Sequence, residues 1–296
     1  KIKEGKGLET IKDKDHIIIC GWNENGEKVI DGILLQAKGI SPTIVLINEL
    51  DQEEVQSIQY KYSGHNIKFV RGNFIKEDVL ARANLVRSQS AIVLADTSGG
   101  QTIDKADERT IFGTMAIKAM ASKIRTCAEL IDSKNKEHLV RAHVDEVVIR
   151  GESAGSLLAT AAISPGLASS INRLINNQDE NKLWRIPVPS SYIGKTFGEI
   201  SKHLRNKYES ILFAVIKEEK NIKLDDILSH DATFIDDFIK KKFEESGKDF
   251  FGGRHNFSVI INPPNNYELS NQDWLVLISK EKPSETGLVS RLVGAS

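Results

Sequence analysis

Two cysteines in 296 residues, Cys20 and Cys127, rule out a disulfide framework, and no zinc-ligand spacing occurs. Both lie far apart inside apolar runs, as expected for a protein of a reducing cytoplasm. Charge of one sign is missing too. Forty basic and 41 acidic side chains leave a net charge of -1, so there is no broad field for a polyanion, and nucleic acid is not an expected partner. No apolar run suits a membrane span. The longest uncharged stretch, Ser153 to Asn172, holds five serines and is broken by Ser164-Pro165-Gly166. No signal-peptide pattern opens the chain, whose first residues are polar and lysine-rich. Nor is there a metalloprotease signature: the seven histidines are scattered and H-E-x-x-H is not found. No residue is assigned a catalytic role, and the chain does not read as an enzyme. What remains, 40% hydrophobic and 27% charged residues, describes a folded chain long enough for about two domains.

Short apolar runs alternate with helical spacing from His16 to Ile149. His16 to Cys20, Thr43 to Ile47, Ile67 to Val70, Ala91 to Ala95, Arg125 to Leu130 and Glu146 to Ile149 read as strands. Between them, helices are predicted over Gly26 to Lys38, Gln52 to Tyr62, a segment around Val79 to Leu85, Asp107 to Ala121 and Lys134 to Ala142. This alternation calls for an α/β fold with a doubly wound parallel sheet. The character changes after Gly151. Ser153 to Ile163 and Leu167 to Asn176 read as two Ala- and Ser-rich helices joined by a Ser-Pro-Gly turn. Strands at Trp184 to Val188, Ile211 to Ile216, Phe257 to Ile261 and Trp274 to Ser279, with a helix at Phe197 to Leu204, then outline a smaller α+β lobe. The predicted divisions are residues 1–14, 15–150, 151–182, and 183–282 with an insertion at 221–256. A tail follows at 283–296.

The first strand-to-helix turn reads Gly21-Trp22-Asn23-Glu24-Asn25-Gly26. In the dinucleotide fingerprint G-x-G-x-x-G, the middle glycine lets the backbone approach a pyrophosphate, and here Asn23 stands in its place. Glu49 lies 23 residues after Gly26, where a ribose hydroxyl would be held. Two readings stand: Gly21 and Gly26 serve the tight turn and helix packing alone, or a nucleotide still binds although the side chain of Asn23 would stand where phosphate should lie.

Several motifs in order carry a family resemblance. His16-Ile-Ile-Ile-Cys-Gly-Trp-Asn23, preceded by Gly5-Lys-Gly-Leu8, resembles the start of a regulator-of-potassium-conductance (RCK) domain of a prokaryotic ligand-gated potassium channel. Val70-Arg-Gly-Asn73, Leu80-Ala-Arg-Ala83, Ala106-Asp-Glu-Arg-Thr110, Cys127-Ala-Glu-Leu130, Glu137-His-Leu139 and Asp145-Glu-Val-Val148 are similar to the same family. So are Asn262-Pro-Pro264 and Asp273-Trp-Leu-Val-Leu277. The resemblance implies a Rossmann-like sheet domain, a helix-turn-helix crossover and a small C-terminal lobe. It implies a cytoplasmic gating-ring module at the face of the cell membrane, acting on a potassium-channel pore. Its subunits would pair through the crossover helices and assemble into an octameric ring, with residues 1–14 as the linker from the pore. The alternative is a soluble nucleotide-binding regulatory subunit of a Trk/Ktr-type potassium transporter.

Asp107, expected at the start of the long helix, and Glu129, at the end of the fifth strand, should share the carboxyl edge of the sheet. Hard cations such as Ca²⁺ take several oxygen ligands, and carboxylates supply them. Calcium-sensing members of the family place an acid at each matched position and another two residues after Glu129. This chain has Ile131 there and Asp132 one residue later. The bland readings are a helix-start residue for Asp107 and a salt-bridged strand end for Glu129. Asp96, after the fourth strand, either approaches a ligand or caps its loop. On ligand identity, the expected order is some response to Ca²⁺ at Asp107, Glu129 and Asp132, with weak binding of the alternative ligand, an adenine nucleotide or NAD, at Gly21, Asn23, Gly26, Glu49 and Asp96.

Overall fold

The computed structural model describes residue 7 and residues 9–37, 41–176, 179–219 and 256–283. Residues 1–6 and 8 of the linker, residues 221–255 of the insertion and the tail from 284 onward lie outside the described residues. The chain divides into two compact units, the second beginning at Ser153.

In the first unit, β1 (Ile17–Cys20), α1 (Gly26–Gln36), β2 (Ile44–Asn48), α2 (Gln52–Lys61) and β3 (Ile67–Arg71) alternate as expected. α3 (Glu77–Arg82), β4 (Ser90–Val93), α4 (Ile103–Met120), β5 (Arg125–Leu130), α5 (Lys136–Arg141) and β6 (Glu146–Ile149) complete the series. The six strands pair in parallel in the order β3-β2-β1-β4-β5-β6, so the winding reverses between β1 and β4. A strand covered on both faces must be apolar on both. Every residue of β2 is buried accordingly. Alternate side chains feed two cores: Ile18, Cys20, Val45, Val70 and Leu130 on one face, and Ile19, Ile44, Leu46 and Phe69, packed under Ile30, Val55 and Ile58, on the other.

The long helix α4 starts at Ile103, not at Asp107. Thr102 precedes it in extended conformation without a side-chain cap bond, so the polar stretch before Asp107 carries no strong start signal. Asp107 therefore sits in the second turn, on the buried face with Ala106, Thr110, Gly113 and Ile117. α3 is short because Asn84 turns left-handed (φ 53°) ahead of the 3-10 turn Leu85–Arg87.

In the second unit, α6 (Ala154–Ile163) and α7 (Leu167–Ile175) meet at Gly166, whose φ of +92° suits glycine. Neither helix buries a residue within the chain. Leu158 is 73% exposed, Ile163 82%, Leu167 50% and Ile175 61%. No described helix is long and apolar enough to cross a membrane. β7 (Lys182–Pro187), α8 (Phe197–Tyr208), β8 (Ile211–Glu219), β9 (Asn256–Ile261) and β10 (Asp273–Ser279) follow. The strands form an antiparallel sheet ordered β7-β10-β8-β9. Thr196 and Glu199 close a capping box at the start of α8. Its Phe197, Ile200 and Leu204 then pack with Ile186, Leu212, Val215, Leu275 and Leu277 into one core.

Candidate functional site at the carboxyl edge of the parallel sheet

In open α/β sheets, ligands enter outside the carboxyl ends of the strands, where the strand order reverses. Here that place lies between β1 and β4, and the turn after β1 forms one wall. Gly21 is left-handed (φ +76°), and a Cβ on it would stand 2.8 Å from the Leu94 carbonyl oxygen. Gly26 opens α1 beneath Trp22, whose ring a Cβ there would meet at 2.8 Å. Both glycines thus have packing reasons to be glycine.

Asn23 behaves differently from its expected obstruction of a phosphate. Its side chain turns inward and is almost fully buried. Nδ2 donates to the Ala95 carbonyl (2.8 Å) and to Glu129 Oε2 (2.7 Å), while Oδ1 accepts from the Asn25 amide (2.8 Å). This amide spans the point of reversal and ties the turn after β1 to the ends of β4 and β5.

Glu129 is consumed by protein donors. Oε2 also accepts from the Ala95 amide (3.1 Å), and Oε1 from Arg150 Nε (3.0 Å). Arg150 extends the chain of charges to Glu24, 3.6 Å away. Its pKa is raised, first by the hydrogen bond to Glu129, then by the charges of Glu129, Glu24 and Asp107, against an opposing effect of burial. Asp107, 1% exposed, is equally committed. Oδ1 accepts from the Ile131 amide (2.9 Å), and Oδ2 from the Asp132 amide (2.9 Å) and Asn135 Nδ2 (2.8 Å). Asp132 accepts from the Lys134 amide (2.9 Å) and caps the 3-10 turn Ser133–Asn135.

These bonds are what a cation at Asp107, Glu129 and Asp132 would have to displace. A carboxylate offers about four lone-pair positions, and three are filled on each of Asp107 and Glu129. Ca²⁺ needs oxygen ligands turned toward one point, whereas these acids face N–H donors and a guanidinium. The residues present do not fit that ion. Among the described residues, no group of three or more His, Cys, Asp or Glu could hold a metal.

Asp96 and Glu49 meet through a residue whose role the spacing did not reveal. Arg109 Nη2 lies 3.0 Å from Asp96 Oδ2 and 3.1 Å from Glu49 Oε2, and the guanidinium stacks over Phe74 at 5.2 Å. Asp96 Oδ1 accepts from the Ser98 hydroxyl (2.6 Å), the Ser98 amide and the Trp22 amide, so it does cap its loop. Two buried donors near this pair have no partner: Arg109 Nε and Asn48 Nδ2, the latter one residue before Glu49. Arg109 and Arg150 bond to acids 60 and 21 residues away, distances at which local spacing carries no signal. A cluster of unpaired acids predicted at one sheet edge was the available hint that basic partners had to arrive from elsewhere. Burial pushes the Cys127 thiol up to about 11, with the acids Glu146, Asp145 and Glu129 adding to it, which disfavours the thiolate.

Residues 12–128 match the family model of the calcium-activated potassium channel slowpoke-like RCK domain. The chain is 26% identical over 218 residues to the calcium-gated potassium channel TvoK of Thermoplasma volcanium, covering 73% of this chain and 59% of that one. It is 24% identical over 139 residues to the voltage-gated potassium channel Kch of Escherichia coli, covering 47% of this chain and 30% of that one. The chain thus spans less than two thirds of either relative. Among solved structures, the human SLO3 gating ring has the same fold, with a TM-score of 0.54 and 15% identity over 90% of this chain and 44% of that one. Over residues 12–128, which hold β1 to β4, α4 and the start of β5, the chain is similar to the RCK domain family.

Proposed function

We propose that this chain is a ligand-sensing gating module of a potassium channel, acting at the cytoplasmic face of the membrane. The observation that carries the proposal is the polar network at the sheet edge, which runs from the turn after β1 through Glu129 to Arg150. Arg150 follows β6 directly, and three residues later the second unit begins. A ligand that rearranges this edge therefore acts on the segment of chain leading into the second unit. The likeness to channels named as calcium-gated and voltage-gated supports the pore as partner. The separate transporter subunit is the less favoured reading, because the relatives that match are themselves named as channels. The apolar, uncovered faces of α6 and α7 support self-association, first as a pair and then as a ring of pairs.

For the ligand, the geometry favours an adenine nucleotide over Ca²⁺. Asn23 is bonded at the ends of β4 and β5, while at the end of β2 Asn48 Nδ2 is unpartnered and Glu49 holds Arg109, whose Nε is unpartnered too. Such buried donors are satisfied when an acceptor-rich group arrives. A mononucleotide uses that half alone, whereas NAD has to cross the half that Asn23 occupies. Calorimetric titration with ADP and NAD tests this: tighter ADP binding supports it, and no heat from either overturns it. Potassium flux through the full-length protein tests the gating role, which fails if deleting the two units leaves flux regulation unchanged.

A further inference from the structure

The acids beside β5 already have a cation, and the chain supplies it. Arg150 Nε donates to Glu129 Oε1 at 3.0 Å, and Nη1 lies 3.6 Å from Glu24 Oε1. The charge of Asp107 also reaches the guanidinium. Two carboxylates, Glu129 and Glu24, therefore flank one permanently charged, planar group whose side chain is only 23% exposed. A divalent ion would need to draw at least one oxygen of Glu129 and one of Glu24 toward a single centre. Oε2 of Glu129 is fixed by Asn23 and the Ala95 amide, and Oε1 by Arg150. We infer that Arg150 is the specificity-determining residue of this edge: its guanidinium holds the place between Glu24 and Glu129 that a divalent cation would take, and it closes the edge to such ions.

The placement gives that substitution a consequence. A free ion can leave, whereas Arg150 is joined to β6 by the backbone and to Gly151, left-handed at φ +76°, on its other side. The counter-charge is permanent, so the link from β5 to the end of β6 does not depend on ion concentration. Any signal that opens this edge has to compete with Arg150 for Glu129. This inference concerns charges within the chain and holds whether or not the chain gates a pore.

Calorimetry and thermal melting of the whole chain with Ca²⁺ test it, comparing wild type, Arg150→Gln, Arg150→Lys and the double variant Arg150→Gln with Glu129→Gln. Arg150→Gln should gain Ca²⁺ affinity by about tenfold or more, the factor set by losing one charged competitor. Arg150→Lys keeps a cation and should gain little, and the double variant should lose what Arg150→Gln gained. If Arg150→Gln is unfolded in chelator, Ca²⁺ should restore its fold. The inference is overturned by a folded Arg150→Gln that gains no Ca²⁺ affinity, or by one that stays unfolded with Ca²⁺. It is equally overturned by wild-type binding as tight as the variant's that Glu129→Gln abolishes.

Discussion

Replacing Asp107 by alanine separates a buried structural acid from a metal ligand. The carboxylate accepts three hydrogen bonds, two from consecutive backbone amides after β5 and one from Asn135. Bonds to a charged group contribute about 1.5–3 kcal/mol each, but the freed amides are part-buried and recover some of that from water. Taking about 1 kcal/mol per bond after that recovery gives a loss of roughly 3 kcal/mol. For a unit of this size, each kcal/mol moves the melting temperature by about 2–4 °C, so Asp107→Ala should melt roughly 6–12 °C lower. Asp107→Asn keeps one acceptor oxygen but turns an amino group on the remaining donors, so it should fall between the two. Circular dichroism melting in chelator measures both, and adding Ca²⁺ should leave the differences unchanged. A variant that melts like wild type in chelator, yet loses a Ca²⁺-induced stabilisation that wild type shows, would refute the assignment.

Two further outcomes follow from burial. His16 Nε2 donates to the Ala83 carbonyl (2.9 Å) and the residue is fully buried, which lowers its pKa below the usual 6.5. The unfolded chain then binds a proton more readily, so stability contributed above pH 6.5 is lost as pH falls through the folded-state value, and His16→Asn should flatten that slope in urea titrations at pH 7 and pH 5. Leu167, half exposed on α7, should lie in a contact between two copies: wild type should sediment as a dimer or larger at micromolar concentration and Leu167→Arg as a folded monomer, and a wild-type monomer at about 100 µM would exclude the contact.

Most of the fold was legible because two periodicities dominate it. Strands covered on both faces, such as β2, leave short apolar runs, and the bounds of β5 and β6 fall where the sequence places them. The turn at Ser164 to Gly166 announced the break between α6 and α7. Boundaries were lost where the start of a helix has no side-chain cap, as at Thr102, and where a non-glycine residue turns left-handed, as at Asn84. The pair α6 and α7 was legible as a surface uncharged as far as Asn172, and the exposure of its apolar side chains within one chain is an argument for a partner copy.

The site was legible in its acids and illegible in its bases, and the reason is physical. Helices that follow parallel strands point their amino ends at the carboxyl edge, which favours acidic side chains there whatever their purpose. Asp96, Asp107 and Glu129 therefore announce the edge without announcing a ligand. What fixes the chemistry is the group that neutralises them. Asp107 is satisfied by backbone amides, Asp96 and Glu49 by Arg109 from α4, and Glu129 by Arg150 from beyond β6. Removing one partner of a buried charge costs more than the pair contributes, so each acid holds its base in place. A ligand at this edge must offer the acids as much as these bases do, or use the donors they leave idle. Such donors remain at three places, Arg109 Nε, Asn48 Nδ2 and Arg150 Nη2, and an acceptor-rich ligand would have to reach them.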